Sequence, residues 1–326
     1  MSSPKFTRRA GLALAAALPA AAHAQAAWPA RPVRTVVAFA AGGPADIVAR
    51  IVASNLEREF GQPFPVDNRA GAGGQIGTDY VAKAAPDGYT LLVTSSAAHG
   101  VGPGLYPSQP YDAVRDFTHI GLIAGGPIAF LVSAQSPYRT LADFVAAAKA
   151  RGTPMPFGSG GTGSLGHLTG ELVYRRLGIE MTHVPYRGSA PAQADLMARN
   201  IEAVSDNLAA HAALIRAGNL RALAIAAPQR SANFPDVPTF AEQGYPDLIA
   251  AAWFGLCAPA GMPAPIVDKL NAALRGMAAQ PEAQRQFETL GLRAEGQMPP
   301  AEYAAFVAAE VARWREVTRI ASVKLE

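Results

Sequence analysis

A single cysteine, Cys257, is all that 326 residues contain, so no internal disulfide can staple this fold. It stands in the apolar stretch AAWFGLCAP, the setting of a small buried hydrophobe rather than of a reactive thiol. Excess charge is missing too. The 28 Lys and Arg face 25 Asp and Glu, and Lys5, Arg8 and Arg9 account for the surplus, leaving 25 of each sign beyond residue 24. The basic pI of the whole chain therefore says nothing about nucleic acid, and no basic stripe interleaved with aromatics exists to bind it. His99, His119, His167, His183 and His211 show no H-E-x-x-H or other metal spacing, so no metal site is expected. Beyond the N-terminus no run is long and apolar enough to cross a membrane.

What is present begins with a leader. Lys5, Arg8 and Arg9 precede a short Ala/Leu-rich run from Gly11 to Ala22, and Ala22-His23-Ala24 is an A-x-A cleavage site. Residues 1–24 read as a secretory signal peptide, with the mature chain starting near Gln25 in the periplasm. Arg8-Arg9 permits twin-arginine export, although Gly11 departs from the usual apolar pattern. The remaining length suits two domains or one large one.

Continuous apolar runs alternate with helical periodicity. VRTVVAF (33–39), FPVDN and YTLLVTSS read as strands, separated by a helix through Ile47, Ile51 and Phe60 that Gly61 closes and by a short helix ending near Ala84. From about Ile128 the alternation restarts: IAFLVSA, MPFGS, MTHVPY, IEAVSDN and RALAIAA as strands, with helices over TLADFVAAAKARG, Ser164 to Leu177 and Ser189 to Ala198. LIAAAWFGLCAP reads as a long strand, and three helices start at about Pro265, Pro281 and Pro300. Two α/β units follow from this, and ligands of parallel sheets bind beyond the carboxyl ends of strands.

Each such end carries a Gly/Ser-rich loop. In AFAAGGPADIVAR, Gly42 and Gly43 turn into a helix whose free N–H groups favour an anion, while Asp46 complements the same dipole and fits an ordinary capped turn equally well. VTSSAAHG offers Thr94, Ser95, Ser96 and His99; alone, His99 reads as a packed or surface histidine. FGSGGTGSLGHLTGELV contains G-x-G-x-x-G at Gly158, Gly160 and Gly163, yet the acid that would hold a ribose is missing after MTHVPY. The loop survives as an anion cradle with no NAD. Neither Ser159 nor Ser164 sits in a nucleophile elbow.

Together these loops are similar to a known family. WPARPVRTVVAFAAGGPADIVAR, VDNRAGAGGQIGTDYVAKAAPDGYTLL, FGSGGTGSLGHLTGEL, HVPYRGSAPAQADL, SDNLAAHAALIRAGNLRALA, PDVPTFAEQGYP and WFGLCAPAGMP, in this order, resemble the Bug-type solute receptors of tripartite tricarboxylate transporters. The resemblance departs at Ala41, where the family commonly has Pro. It implies an α/β periplasmic binding protein (Venus-flytrap) fold, two parallel or mixed α/β lobes joined by a two-crossing hinge. Lobe 1 would span 25–127 and 249–326, and lobe 2 would span 128–248. It also implies a monomeric receptor rather than an enzyme, without cofactor, that passes a small organic acid to membrane subunits. Carried over by position, ligand contacts fall on Phe39, Gly42, Gly43, Asp46, Ser95, Ser96 and His99 in the first lobe. In the second they fall on Ser159, Gly160, Gly161, Thr162, Gly163, Ser164 and His167, with Tyr186, Asp206 and Asn207 on the far wall. Two rivals remain: a periplasmic sensor, and a secreted hydrolase, which needs Ser159 or Ser164 beside His167 with an orienting carboxylate.

Overall fold

Successive side chains of a strand point to opposite faces, so an unbroken apolar run implies a sheet covered on both sides. The computed structural model describes residues 28–321 apart from Pro107 and Gly291, and the leader expected over 1–24 lies outside these. Its first half contains β1 (Arg34–Val37), α1 (Pro44–Phe60), β2 (Val66–Asn68), α2 (Gln75–Ala82), β3 (Thr90–Ser95), α3 (Gly102–Leu105) and β4 (Phe117–Ser133). Next come α4 (Leu141–Arg151), β5 (Met155–Ser159), α5 (Leu165–Leu177), β6 (Met181–Pro185), α6 (Ser189–Ala198), β7 (Ala203–Asn207), α7 (Ala212–Arg216) and β8 (Leu220–Ile225). The chain ends in β9 (Ala251–Pro259), α8 (Ala264–Ala278), α9 (Pro281–Thr289), β10 (Arg293–Ala294) and α10 (Pro300–Ala321). No helix among the described residues is long and apolar enough to cross a membrane.

The strands form two sheets that share β4. In the first, β2, β1 and β3 run parallel and β9 joins β3 antiparallel. In the second, β6, β5 and β7 run parallel, while β4 pairs antiparallel with β7 and β8. Residues Phe117 to Pro127 of β4 pair with β9, whereas Ile128 to Ser133 belong to the second sheet. The apolar pattern alone starts this strand only near Ile128. Gly121, Gly125, Gly126 and Pro127 interrupt the apolar pattern, and the pairing with β9 shifts register twice, between His119 and Gly121 and between Leu122 and Ala124. Two-residue β10, edging β4, was also missed, being too short to show a period.

Side-chain alternation places the cores as expected. Val37, Leu91 and Val93 face α1 and α8, packing with Val48, Val52, Leu56, Leu270 and Leu274. Val36 and Leu92 face the opposite way, onto Trp253, Tyr303, Val307 and Val311. In the second sheet Phe130 and Val132 pack with Phe144, Phe157 and Leu168, while Ala129 and Leu131 meet Ala192 and Leu196 of α6. Helix α10 serves both halves. Its Tyr303, Val307 and Val311 lie in the first-sheet core, but Trp314 and Val317 join the core containing Phe130 and Phe157.

Gly166 lets α5 lie directly on β7, since a Cβ there would stand 2.3 Å from the Ser205 carbonyl oxygen. Backbone cannot yield as a side chain can. Gly166→Val should therefore destabilise by about 1–3 kcal/mol; a thermal midpoint equal to wild type would contradict this packing.

Candidate functional site

Register determines which loops meet. The end of β3 is beside the start of β9, with Ser95 opposite Phe254, and the same end of β9 adjoins the point where β4 changes sheets, with Gly126 opposite Ala252. From the other side Asn207, the last residue of β7, stands opposite Ile128. A second strand segment passes there as well, because Ile128 N–H donates to Ala250 O at 3.0 Å and Ala250 N–H to Ala226 O at 2.8 Å. The carboxyl ends of β1, β2 and β3, and those of β5, β6 and β7, thus point toward one junction. The helices following β1, β5 and β6 start there, and neither α1 nor α6 has a side-chain cap. Their first-turn N–H groups are the donors an anion would take.

The β1–α1 loop is built around Asp46. This buried carboxylate accepts from Gly42 N–H at 2.9 Å, Arg50 Nε at 2.9 Å and Asn68 Nδ2 at 3.0 Å. The Arg50 hydrogen bond holds its pKa below the ordinary value against the opposing effect of burial, with Gly42 and Asn68 adding to the shift. Asp46 closes the loop rather than facing a ligand, and it occupies the Gly42 N–H. Gly42, at φ 81°, makes the turn and Gly43 caps α1 in extended backbone. Phe39 packs beside Gly74, bringing the β2–α2 loop into the same site. There Gly71, Ala72, Gly73 and Gly74 all have positive φ, Ala72 at 46° among them. This loop was absent from the expected contacts, although its AGAGG composition before a helix was the available signal.

Ser95 and Ser96 close β3. Ser95 Oγ is buried without a partner, and Ser96 Oγ accepts from Trp253 N–H at 3.5 Å. His99 requires correction. It is 0 % exposed, with Nδ1 2.5 Å from Thr94 Oγ1, Nε2 3.9 Å from Cys257 Sγ, and its ring edge-on to Phe117. Burial, and then the charge of His119, push its pKa far below the usual imidazole value. The turn over Ser96–Val101 winds as a π-helix and carries His99 into the core, away from the junction.

Ser159 is the hub of the second-sheet loop. Its hydroxyl accepts from Gly161 N–H at 3.2 Å and Ser164 Oγ at 3.3 Å and lies 2.7 Å from His183 Nε2. Ser164 also caps α5, accepting from His167 N–H at 3.1 Å. Gly163 N–H donates to His167 Nδ1 at 3.0 Å. Gly160 lies against Gly188, Gly161 has φ 132° and Thr162 is exposed at the tip. His183 was not among the expected residues; it arrives because β5–β6 register sets Phe157 opposite His183.

The far wall is internally tied. Tyr186 donates to Asp195 Oδ2 at 2.6 Å, and burial followed by that carboxylate raises its pKa to about 12. Its ring covers Gly158, so it supports the loop from below instead of offering its hydroxyl to the junction. Asp206 accepts from Ser189 Oγ at 2.5 Å, Asn207 N–H at 2.8 Å and His211 Nε2 at 3.3 Å. Burial opposes its ionisation, but the hydrogen bonds from His211 and Ser189 prevail and its pKa is lowered. Asn207 Oδ1 accepts from Ala209 N–H at 3.2 Å.

A Ser–His contact therefore exists, but between Ser159 and His183. The nearby carboxylate, Glu171, faces His167 Nε2 at 3.7 Å instead, and Ser159 is 0 % exposed. A nucleophile needs access and an oriented base; this buried hydroxyl has its contacts with the loop and with His183, which no carboxylate orients among the contacts described.

Comparison with known proteins points to one family. The family model described as "Tripartite tricarboxylate transporter family receptor" matches residues 48–322. Protein BugT of Bordetella pertussis is 39% identical over 321 residues, covering 97% of each chain. An R. palustris protein solved with adipate is 36% identical with a TM-score of 0.76, covering 91% of this chain and 99% of that one. MatC from Rhodopseudomonas palustris, solved with bound malate, is 35% identical with a TM-score of 0.72, covering 89% and 99%.

Proposed function

The chain belongs to the tripartite tricarboxylate transporter receptor family and is a solute receptor of that periplasmic family, and we propose that it holds a small organic carboxylate at the junction of its two sheets. The observation that carries this reading is the convergence of two sets of strand ends, with their helix N-termini, on one crossing. The adipate and malate seen in relatives make aliphatic dicarboxylates the first class to test. We take 25–127 with 249–326 as one lobe and 128–248 as the other, because β4 changes sheets between Pro127 and Ile128. Closure of the lobes about β4 and the 250–251 segment would enclose the acid and mark the loaded form for membrane subunits. The protein would act as a monomer, exported by the leader at 1–24.

The ligand's oxygens would meet first-turn N–H groups of α1, α5 and α6, with Ser95 Oγ as a buried donor lacking a partner. Gly42, Gly43, Gly160, Gly161 and Gly163 shape the loops, and Thr162 stands at the rim. A thermal-shift screen after refolding from denaturant tests the reading, using mono-, di- and tricarboxylates, acidic amino acids and neutral amides. An acid at a hundred times its Kd stabilises by about 2.7 kcal/mol, or several degrees at about 2–4 °C per kcal/mol. A response to neutral amides alone would exclude the carboxylate assignment. With a responding acid in hand, the Thr162→Ala/Ser164→Ala double variant should bind about tenfold more weakly and lose about 1 kcal/mol of stability through the missing cap. Unchanged affinity by calorimetry would remove the Ser159–Ser164 loop from the site.

A further inference from the structure

Strand β8 lies at an edge of the second sheet. One side pairs antiparallel with β4; on the other, the strand pairing among the described residues is the single bridge of Ile225 to Thr239, at the carboxyl end. Toward the start of β8 a cavity of about 490 Å³ opens, lined by Leu220 to Leu223 on one side and Asp236 to Pro238 on the other. Small-molecule sites commonly have about 300–1,000 Å³. This cavity is separate from the junction of strand ends. Leu220 pairs with Ser133, five residues along β4 from Ile128, which at about 3.3 Å per residue is roughly 17 Å away.

Apolar side chains, Leu220, Ala222 and Val237 among them, form much of the lining, and two guanidiniums, Arg139 and Arg221, join them. Arg221 donates to Tyr138 O at 2.9 Å and to Ala134 O at 3.4 Å, both uncharged acceptors. Burial, and then the charge of Arg139, lower its pKa, so the two cations repel one another. Neither is neutralised by an ion pair among the described residues. Asp143, the acid just beyond Arg139 in the chain, is engaged by the backbone N–H groups of Arg139 and Thr140. Asp236 is the acid of the lining, leaving two positive charges against one negative.

We propose that this cavity is a second binding site, which takes a small monocarboxylate with a short apolar chain. An anion set between Arg139 and Arg221 relieves their repulsion, and a guanidinium can hold both oxygens of a carboxylate. The chain then covers Leu220, Ala222 and Val237, where apolar area leaving water adds affinity. The net single positive charge of the lining matches one carboxylate, and a second would add repulsion from Asp236. The site is independent of the junction, whose ligand can differ.

Nitrogen–proton NMR of the protein with hexanoate, hexanamide and adipate tests the site residue by residue. Hexanoate should move the amide signals of Leu220 to Leu223 and Val237, whatever it does to those of Ser159 to Ser164 at the junction. Hexanamide should leave them in place, and adipate should bind there several-fold more weakly than hexanoate. Arg139→Gln, an exposed substitution that spares the bonds of Arg221, should raise the hexanoate Kd about tenfold by removing one charged donor. Asp236→Asn should bring adipate close to hexanoate. Still amides at Leu220 to Leu223 with hexanoate would overturn the proposal, as would equal movement with hexanamide, tighter binding of adipate, or an unchanged Kd in Arg139→Gln. Signals moving only at Ser159 to Ser164 would confine hexanoate to the junction and overturn it too.

Discussion

Replacing Glu310 with alanine should lower the thermal midpoint by on the order of 10 °C, the largest stability effect expected of any single polar substitution here. Glu310, on α10, is 7 % exposed and its Oε2 accepts both indole N–H groups, Trp253 Nε1 at 2.9 Å and Trp314 Nε1 at 3.1 Å. Its Oε1 lies 3.2 Å from Arg313, a guanidinium whose pKa is lowered by burial. Removing the carboxylate leaves two buried donors unpaired and one cation without its counter-charge. Arg313 is 31 % exposed and partly solvated, so the cost lies mainly in the two orphaned indoles at about 1–3 kcal/mol each, and each kcal/mol moves the midpoint by about 2–4 °C in domains of this size. The position amplifies the effect. Trp253 stands near the start of β9 and its N–H reaches Ser96 Oγ, while Trp314 sits in the core of the second sheet. Glu310→Gln keeps an acceptor oxygen and should lose distinctly less. Calorimetric unfolding checks both variants, and an alanine variant melting with wild type would show that the two indoles find other partners.

Ser159→Ala should weaken carboxylate binding by about 10- to 100-fold while leaving the sheets in place. The hydroxyl serves three groups at once, Gly161 N–H, Ser164 Oγ and His183 Nε2, and alanine serves none. An orphaned buried partner costs about 1–3 kcal/mol, and that cost falls on the loop whose shape the ligand reads; 1.4 kcal/mol is tenfold in Kd. The strand beneath is fixed independently by pairing with β6 and β7, so far-ultraviolet circular dichroism should not change. Titration of the responding acid into both proteins measures the ratio. Affinities within twofold of one another would mean that loop order does not depend on this hydroxyl.

Element positions were largely legible because they follow from local rules. MPFGS and Ser189 to Ala198 match β5 and α6, and Ser164 precedes α5 as its cap. Gly61 and Gly152 end α1 and α4 in left-handed backbone, where side chains other than Gly are strained. The first half of β4 was hidden by its glycines and proline, whose pairing with β9 lies more than a hundred residues away in the chain. The glycine-rich loops were visible as candidate anion sites. The roles of single polar residues within them were not.

Asp46 and His99 explain why. Each stands in a suggestive local motif, yet one carboxylate is enclosed by Arg50 and Asn68, and one imidazole by Thr94, Phe117 and Cys257. His183 gave no signal at all, because only the β5–β6 register sets it beside Ser159. The sequence by itself determined the alternation of strands and helices, the covered faces and the loops able to carry N–H donors, since periodicity, capping and backbone sterics act within a few residues. Only the tertiary structure decided which strand ends converge, which polar groups face the junction, and that α10 joins both cores. Those outcomes depend on contacts between distant segments, where burial and hydrogen-bond satisfaction are settled jointly by all the neighbours.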